Sequence, residues 1–350
     1  MSHFIKEAII ALKIKRLNRL YPCGFILPYL KTLNSVTLSP FLLFFSIITS
    51  LMLAMQKHNI VDCHHHLWDL QQQNHPWLLN EPKDIWIGDY QALCVDFLIS
   101  DFKHASTKAN IVKSVHIQAL TQDPIKETAW LQAQSDELSL PSGIVFYADL
   151  SATNIEHIIQ QHMKYKNVRG IRQIINEHNN PKFNMCPQHG LMRNKQWLKG
   201  FSLLAQYQLS FDLQCYDYQL PQASLLATQF PHTQIILNHM GMPIKRDSKS
   251  LDRWRYYLSD FAKNSNTAIK LSGLAMLDHP MNEALSQQMI QDAIAIFGWQ
   301  RVVFGSNFPV DRLFHDYDDW FDLVSNAIAS LNQTQQQAIW QHNAERLYRI

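Results

Sequence analysis

A chain of 350 residues with 47% hydrophobic content can bury a sizeable core, and its formal charge of +2 brings no basic block for nucleic acid and no acidic tail. Five widely spaced cysteines (Cys23, Cys63, Cys94, Cys186 and Cys215) form no CxxC pair. They argue against a disulfide framework or a structural zinc site and fit a reducing, cytoplasmic setting.

Residues 1–55 are unlike the rest. Lys6, Lys13, Lys15, Arg16, Arg19 and Lys31 make the beginning basic, and Thr32–Gln56 then carries no charge around an apolar core of 15 residues, Phe41–Met55. A spanning helix takes about 20 mostly apolar residues, so this core is borderline as an inner-membrane anchor with its basic flank inside. A secretory signal fits poorly, because the leading region is long and no small-x-small cleavage site follows. Translation starting at Met55 is the alternative. The expected organisation is an extension over 1–55 and a barrel domain over 56–350.

From Asn59 onward, apolar runs alternate with helical spacing. Strands are predicted at Asn59–Val61, Ile111–Ala119, Gly143–Leu150, Val168–Ile175, Leu209–Cys215, Thr233–His239, Thr267–Ser272 and Arg301–Asn307. Helical patterns occupy Thr128–Glu137, Ile155–Lys164, Gln196–Tyr207, Leu220–Gln229, Leu251–Ala262 and Glu283–Phe297, and closing helices Asp316–Leu331 and Thr334–Leu347. Near-continuous apolar strands alternating with helices predict a parallel sheet covered on both faces, and eight such units favour a (β/α)8 TIM barrel. No glycine-rich phosphate loop follows any strand, against a nucleotide-binding open sheet. The Leu67–Asp89 connection, with Trp68, Trp77 and Trp86, would cover the top.

In a barrel the chemistry gathers at the C-terminal strand ends. Strand one runs into Asp62-Cys63-His64-His65-His66-Leu67-Trp68-Asp69. Side chains alternate along a strand, so His64 and His66 share a face and could converge on one metal ion or one substrate oxygen, with His65 opposite. His116 lies mid-strand and reads as a core histidine whose nitrogens need only a partner. Arg169 and Arg172 are three apart on opposite faces; Arg172, nearer the strand end, is the candidate for gripping a carboxylate or carbonyl. Lys270 in an apolar strand needs a partner, either a structural ion pair or a substrate. His239 ends an apolar run before a Gly-x-Pro turn, where a catalytic base would stand. Lys245 and Arg246 would meet an anionic substrate or solvent. The remaining histidines, His75, His104, His157, His162, His178, His189, His232, His279, His315 and His342, are expected at the surface.

These pieces resemble the amidohydrolase superfamily, in its branch of amidohydrolase-related barrels that includes sugar lactonases and 2-pyrone-4,6-dicarboxylate lactonase. The matching segments, in order, are Val61–Asp69, His75-Pro76-Trp77-Leu78, Val168-Arg169-Gly170-Ile171-Arg172, Leu237-Asn238-His239-Met240-Gly241-Met242-Pro243, Ile269-Lys270-Leu271-Ser272-Gly273-Leu274, Val303–Asp311 and Asn343–Tyr348. The resemblance implies His64 and His66 as the strand-one ligand pair and His239 as the strand-six histidine. Two departures stand out. Gln214 and Cys215 occupy the region of the family's strand-five histidine, and Asn307 stands where the family has an aspartate. An amide cannot act as a general base, which leaves His239 or Asp311, four residues on.

The implied function is hydrolytic opening of a lactone of a small sugar acid or carboxylated ring. Arg172, Lys270 and Trp68 would hold the substrate. His64 and His66 would act directly or through a divalent metal such as zinc or manganese, and some relatives in this branch work without metal. A metal-dependent decarboxylase of a small aromatic acid and a non-catalytic ligand-binding barrel are the alternatives. The expected partners are a small-molecule substrate and other copies of the chain, with a membrane only if residues 32–55 are an anchor.

Overall fold

The computed structural model describes residues 58–80 and 84–350. Its eight strands are β1 (His58–His65), β2 (Ala109–Ile117), β3 (Gly143–Phe146), β4 (Val168–Ile174), β5 (Ser210–Gln214), β6 (Ile235–Leu237), β7 (Thr267–Leu271) and β8 (Val302–Phe304). They form one sheet in sequence order, each parallel to the next. The sheet closes where Asn307 N–H donates to the His64 carbonyl and His66 N–H to that of Phe308, both at 2.7 Å. This is the (β/α)8 barrel that the sequence predicts, with Leu220–Gln229 and Glu283–Phe297 as two of the helices between strands.

β6 and β8 stop short of their apolar runs. His239 and Met240 (φ 52° and 55°) and Asn307 (φ 58°) take left-handed backbone, which ends ladder pairing and turns each segment across the barrel mouth. Such conformations are unusual for residues with a Cβ, and here they fall on two of the strand-end candidates.

Two apolar layers hold the barrel. One lies between strands and helices. The other fills the interior with Val61, Val115, Ile117, Val145, Ile236 and Val303, packed against Ala344, Leu347 and Tyr348 of the last helix, Asn343–Tyr348. The C-terminal segment closes the end of the barrel opposite the strand C-termini, where Arg169 Nε donates to the Arg349 carbonyl at 3.1 Å.

The connection after β1 covers the other end. Trp68 is buried there, its indole N–H donating to the Val95 carbonyl at 2.7 Å and its ring 5.7 Å edge-on from Trp77. Among the described residues no helix is long and apolar enough to cross a membrane. The apolar 32–55 segment lies outside the described residues.

Candidate active site

The interior of β1 is not a simple alternation. Val61 and Cys63 belong to the inner apolar layer, so strict alternation would turn His65 inward next. Between Asp62 and His65 the strand advances one residue more than β2, pairing Asp62 with Ser114 and His65 with His116. This bulge re-aims the side chains. His64 and His66 face the interior, ring centroids 5.2 Å apart, while His65 stacks outside on Phe102 at 4.0 Å. Asp62 fixes the bulge by accepting from His64 N (3.1 Å), Ser306 N (3.0 Å) and Tyr317 Oη (3.0 Å). Gly305 leaves room for it, since a Cβ there would lie 2.7 Å from His64 Cβ.

Hydrogen bonds fix the remaining rings. His66 Nδ1 meets the Ile117 carbonyl at 2.7 Å. A carbonyl can only accept, so His66 carries its proton on Nδ1 and presents Nε2 as an acceptor. His239 Nδ1 contacts Ser272 Oγ at 3.0 Å, and its ring lies 4.4 Å from that of His64. Gly273 makes that position possible: at φ +65° it has no Cβ, and one would sit 2.3 Å from His239 Nδ1. Burial holds His64, His66 and His239 well below the ordinary histidine value of 6.5, and nearby cations push the same way. For His64 the leading cation is Lys270; for His66 and His239 it is Arg172. All three are neutral at pH 7.

Lys270 lies below this group, fully buried. It is ion-paired to Asp212 on β5, donates to the Cys63 carbonyl at 2.8 Å, and approaches His64 Nδ1 at 3.4 Å. Tyr348 Oη donates to the same Asp212 at 2.8 Å. An ammonium against Nδ1 favours the tautomer that carries the His64 proton on Nε2, and that atom is buried with no partner among the described residues.

Arg172 reaches the mouth from β4. Its Nη1 donates to Gln214 Oε1 at 2.9 Å and its Nη2 to the Gln118 carbonyl, and its Nε has no partner among the described residues. Burial lowers it to about 10, which leaves it charged at pH 7. Asn307 Nδ2 donates to Asp311 Oδ1 at 2.7 Å and to Met276 Sδ at 3.2 Å, leaving its carbonyl Oδ1 as the atom available to the pocket.

The pocket is lined by His66, Arg172, Gln214, His239 and Asn307 together with ten apolar residues, Trp77, Trp86 and Met276 among them. The structure thus brings together His66, His239, Arg172 and Asn307, with His64 against the first two rings. Lys270 sits beneath them, Asp311 behind Asn307, and Trp68 in the wall; none of these three lines the pocket. Arg246 pairs with Asp278 at 3.0 Å and donates to the Leu274 carbonyl at 2.6 Å, which ties two loops together. Gln214 and Met276 complete the site. Gln214 is signalled by its strand-end position, whereas Met276 follows β7 with no signal in its residue type. Two of the histidines expected at the surface are fully buried: His75 between the Ala119 carbonyl and Gln73, and His162 stacked on Phe146 with its Nδ1 on Thr128.

Residues 61–350 match the amidohydrolase family model. The chain belongs to this family. It is 37% identical over 293 residues to an uncharacterized protein of Sinorhizobium fredii, covering 83% of this chain and 98% of that one. It is 24% identical over 303 residues to the L-fucono-1,5-lactonase of Burkholderia multivorans, covering 83% and 96%. Among solved structures it is similar to an amidohydrolase from Burkholderia multivorans with zinc bound, at a TM-score of 0.69 and 23% identity over 83% of this chain and 99% of that one.

That neighbour raises the question of a metal here. Among the described residues no three His, Cys, Asp or Glu side chains are placed to hold a metal ion. The strand-eight position supplies an amide, and Lys270 and Arg172 bring positive charge to both sides of the histidines. A dication is poorly matched to two cations and no facing carboxylate. The donor set as folded does not fit a metal.

Proposed function

We propose that the protein hydrolyses a lactone without a metal, using its strand-end imidazoles. The observation that carries this reading is the polarity fixed on each ring: His66 Nε2 must accept, and His64 Nε2 is placed to donate. Water needs an acceptor for each of its protons. His239 Nε2 takes one as general base when Ser272 accepts from Nδ1–H, and Asn307 Oδ1 holds the other, with His66 beside them. The water oxygen adds to the carbonyl, and the charge that develops on the carbonyl oxygen is met by the buried His64 N–H and the Arg172 guanidinium. The ring C–O bond then breaks and the leaving oxygen collects the proton from His239. The curated lactonase relatives, at 24% identity, support the reaction class and leave the substrate to the pocket.

The experiment is a lactone panel followed by pH indicator, with His239→Asn as control. The expected result is hydrolysis of at least one lactone and a loss of about 10²–10⁴ in kcat in the variant. A chain that leaves all lactones intact yet releases carbon dioxide from an aromatic acid would be a decarboxylase, and the lactonase reading would fall.

A further inference from the structure

We propose that the pocket takes a flat, apolar lactone, in which the ring oxygen is borne by an aromatic carbon, in preference to a polyhydroxylated sugar lactone. This rests on the lactonase reading and adds the substrate class to it. Ten of the fifteen described lining residues are apolar, including Trp77, Trp86, Ile174, Met185, Met276 and Val310. Among the described residues no Asp, Glu, Lys, Ser, Thr or Tyr lines it. Of the five polar ones, His66, His239, Asn307 and Arg172 are taken up by the water and the carbonyl oxygen of the proposed reaction. Gln214 remains, and its Oε1 already accepts from Arg172.

A sugar lactone brings several hydroxyls, each needing a partner once it leaves water, and this wall offers almost none. An aromatic ring needs none, and two indoles and two methionine thioethers are good partners for its faces and edges. One further donor stands free: the buried Trp86 indole N–H has no partner among the described residues, enough for a single acceptor oxygen.

The leaving group points the same way. Among the described residues no carboxyl group lines the pocket to serve as a separate general acid. A phenolate, whose conjugate acid has a pKa of about 10, departs far more readily than an alkoxide. In the step, the water oxygen bonds to the acyl carbon, the acyl C–O(aryl) bond breaks, and its electron pair stays on the phenolate oxygen. The proton taken by His239 passes to that oxygen, and the product is a hydroxyaryl carboxylate.

The test compares kcat/KM for dihydrocoumarin and for L-fucono-1,5-lactone on the full chain, with Trp86→Ala alongside. Titration of the hydrolysed aryl product, 3-(2-hydroxyphenyl)propanoate, is followed by tryptophan fluorescence. The expected result is a preference for dihydrocoumarin of about 100-fold or more, given partners missing for at least two hydroxyls at about tenfold each. Trp86→Ala should raise KM for dihydrocoumarin about tenfold with kcat little changed, a split that a general loss of folding would not give. Equal or faster turnover of the sugar lactone overturns the inference. If neither lactone is hydrolysed but the aryl product binds saturably and Trp86→Ala weakens it, the lactonase reading fails while the pocket assignment stands. If neither turnover nor binding is seen, the inference is overturned.

Discussion

The barrel interior holds two polar regions a few ångströms apart that are built on opposite lines. At the floor, Asp212 takes Lys270 and Tyr348, Lys270 also donates to the Cys63 carbonyl, and among the described residues Asp212 Oδ2 alone of these atoms lacks a partner. At the mouth, Arg172 Nε, His64 Nε2 and Trp86 Nε1 are buried without one among the described residues. An unpaired buried polar atom is destabilising, and those at the mouth are the ones that the proposed substrate would pair. The floor supports this by holding an ammonium against His64 Nδ1, which makes a scaffold ion pair decide which way a site imidazole presents its proton.

The largest effect that separates the two regions should come from the floor. Lys270→Met leaves Asp212 buried without its cation and should cost about 3–5 kcal/mol, read as a fall in the denaturant midpoint. Adding Asp212→Asn removes the orphaned charge and should recover most of that loss. An unchanged midpoint in the single variant would mean that the floor is not the structural half of the pair.

A comparable effect should follow pH. His64, His65, His66, His116 and His239 are all held below 6.5 by burial, with further depression from neighbouring cations or imidazoles. Below pH 6.5 the unfolded chain therefore binds protons that the fold refuses, and stability falls as pH falls. Two carboxyls act in the opposite sense: burial raises Asp62 to about 6 and Glu127 to about 7, so the fold takes up their protons first. The depressed histidines outweigh the two carboxyls, and the net loss from pH 6.5 to 5 should be on the order of 5 kcal/mol in urea titrations. Stability that rises over that window would contradict neutral burial of the histidines.

The smallest effect should come from the wall. Trp68→Phe removes the hydrogen bond to Val95 and should cost about 1 kcal/mol. Because Trp68 does not line the pocket, KM for the aryl lactone should hold, in contrast to Trp86→Ala. A raised KM in Trp68→Phe would move that tryptophan into the binding surface.

What the sequence made legible was whatever local pattern controls. The eight strands showed as apolar runs, and the inward pair His64 and His66 as a two-residue spacing. The bulge that delivers them was hidden, because it depends on Asp62 bonding to Ser306 and Tyr317, more than 240 residues away in sequence. Lys270 and Asp212 sit on strands that are not neighbours in the sheet, and no local pattern couples β5 to β7. His75 and His162 looked like surface histidines because their partners are a carbonyl and a hydroxyl contributed by other segments.

The most direct test of metal-free imidazole hydrolysis is aryl-lactone turnover by protein stripped with chelator, its residual zinc counted, beside His239→Asn. Metal-free hydrolysis requires that kcat persist at far less than one zinc per chain and collapse in the variant. Turnover that follows zinc content and returns only when zinc is restored would contradict it.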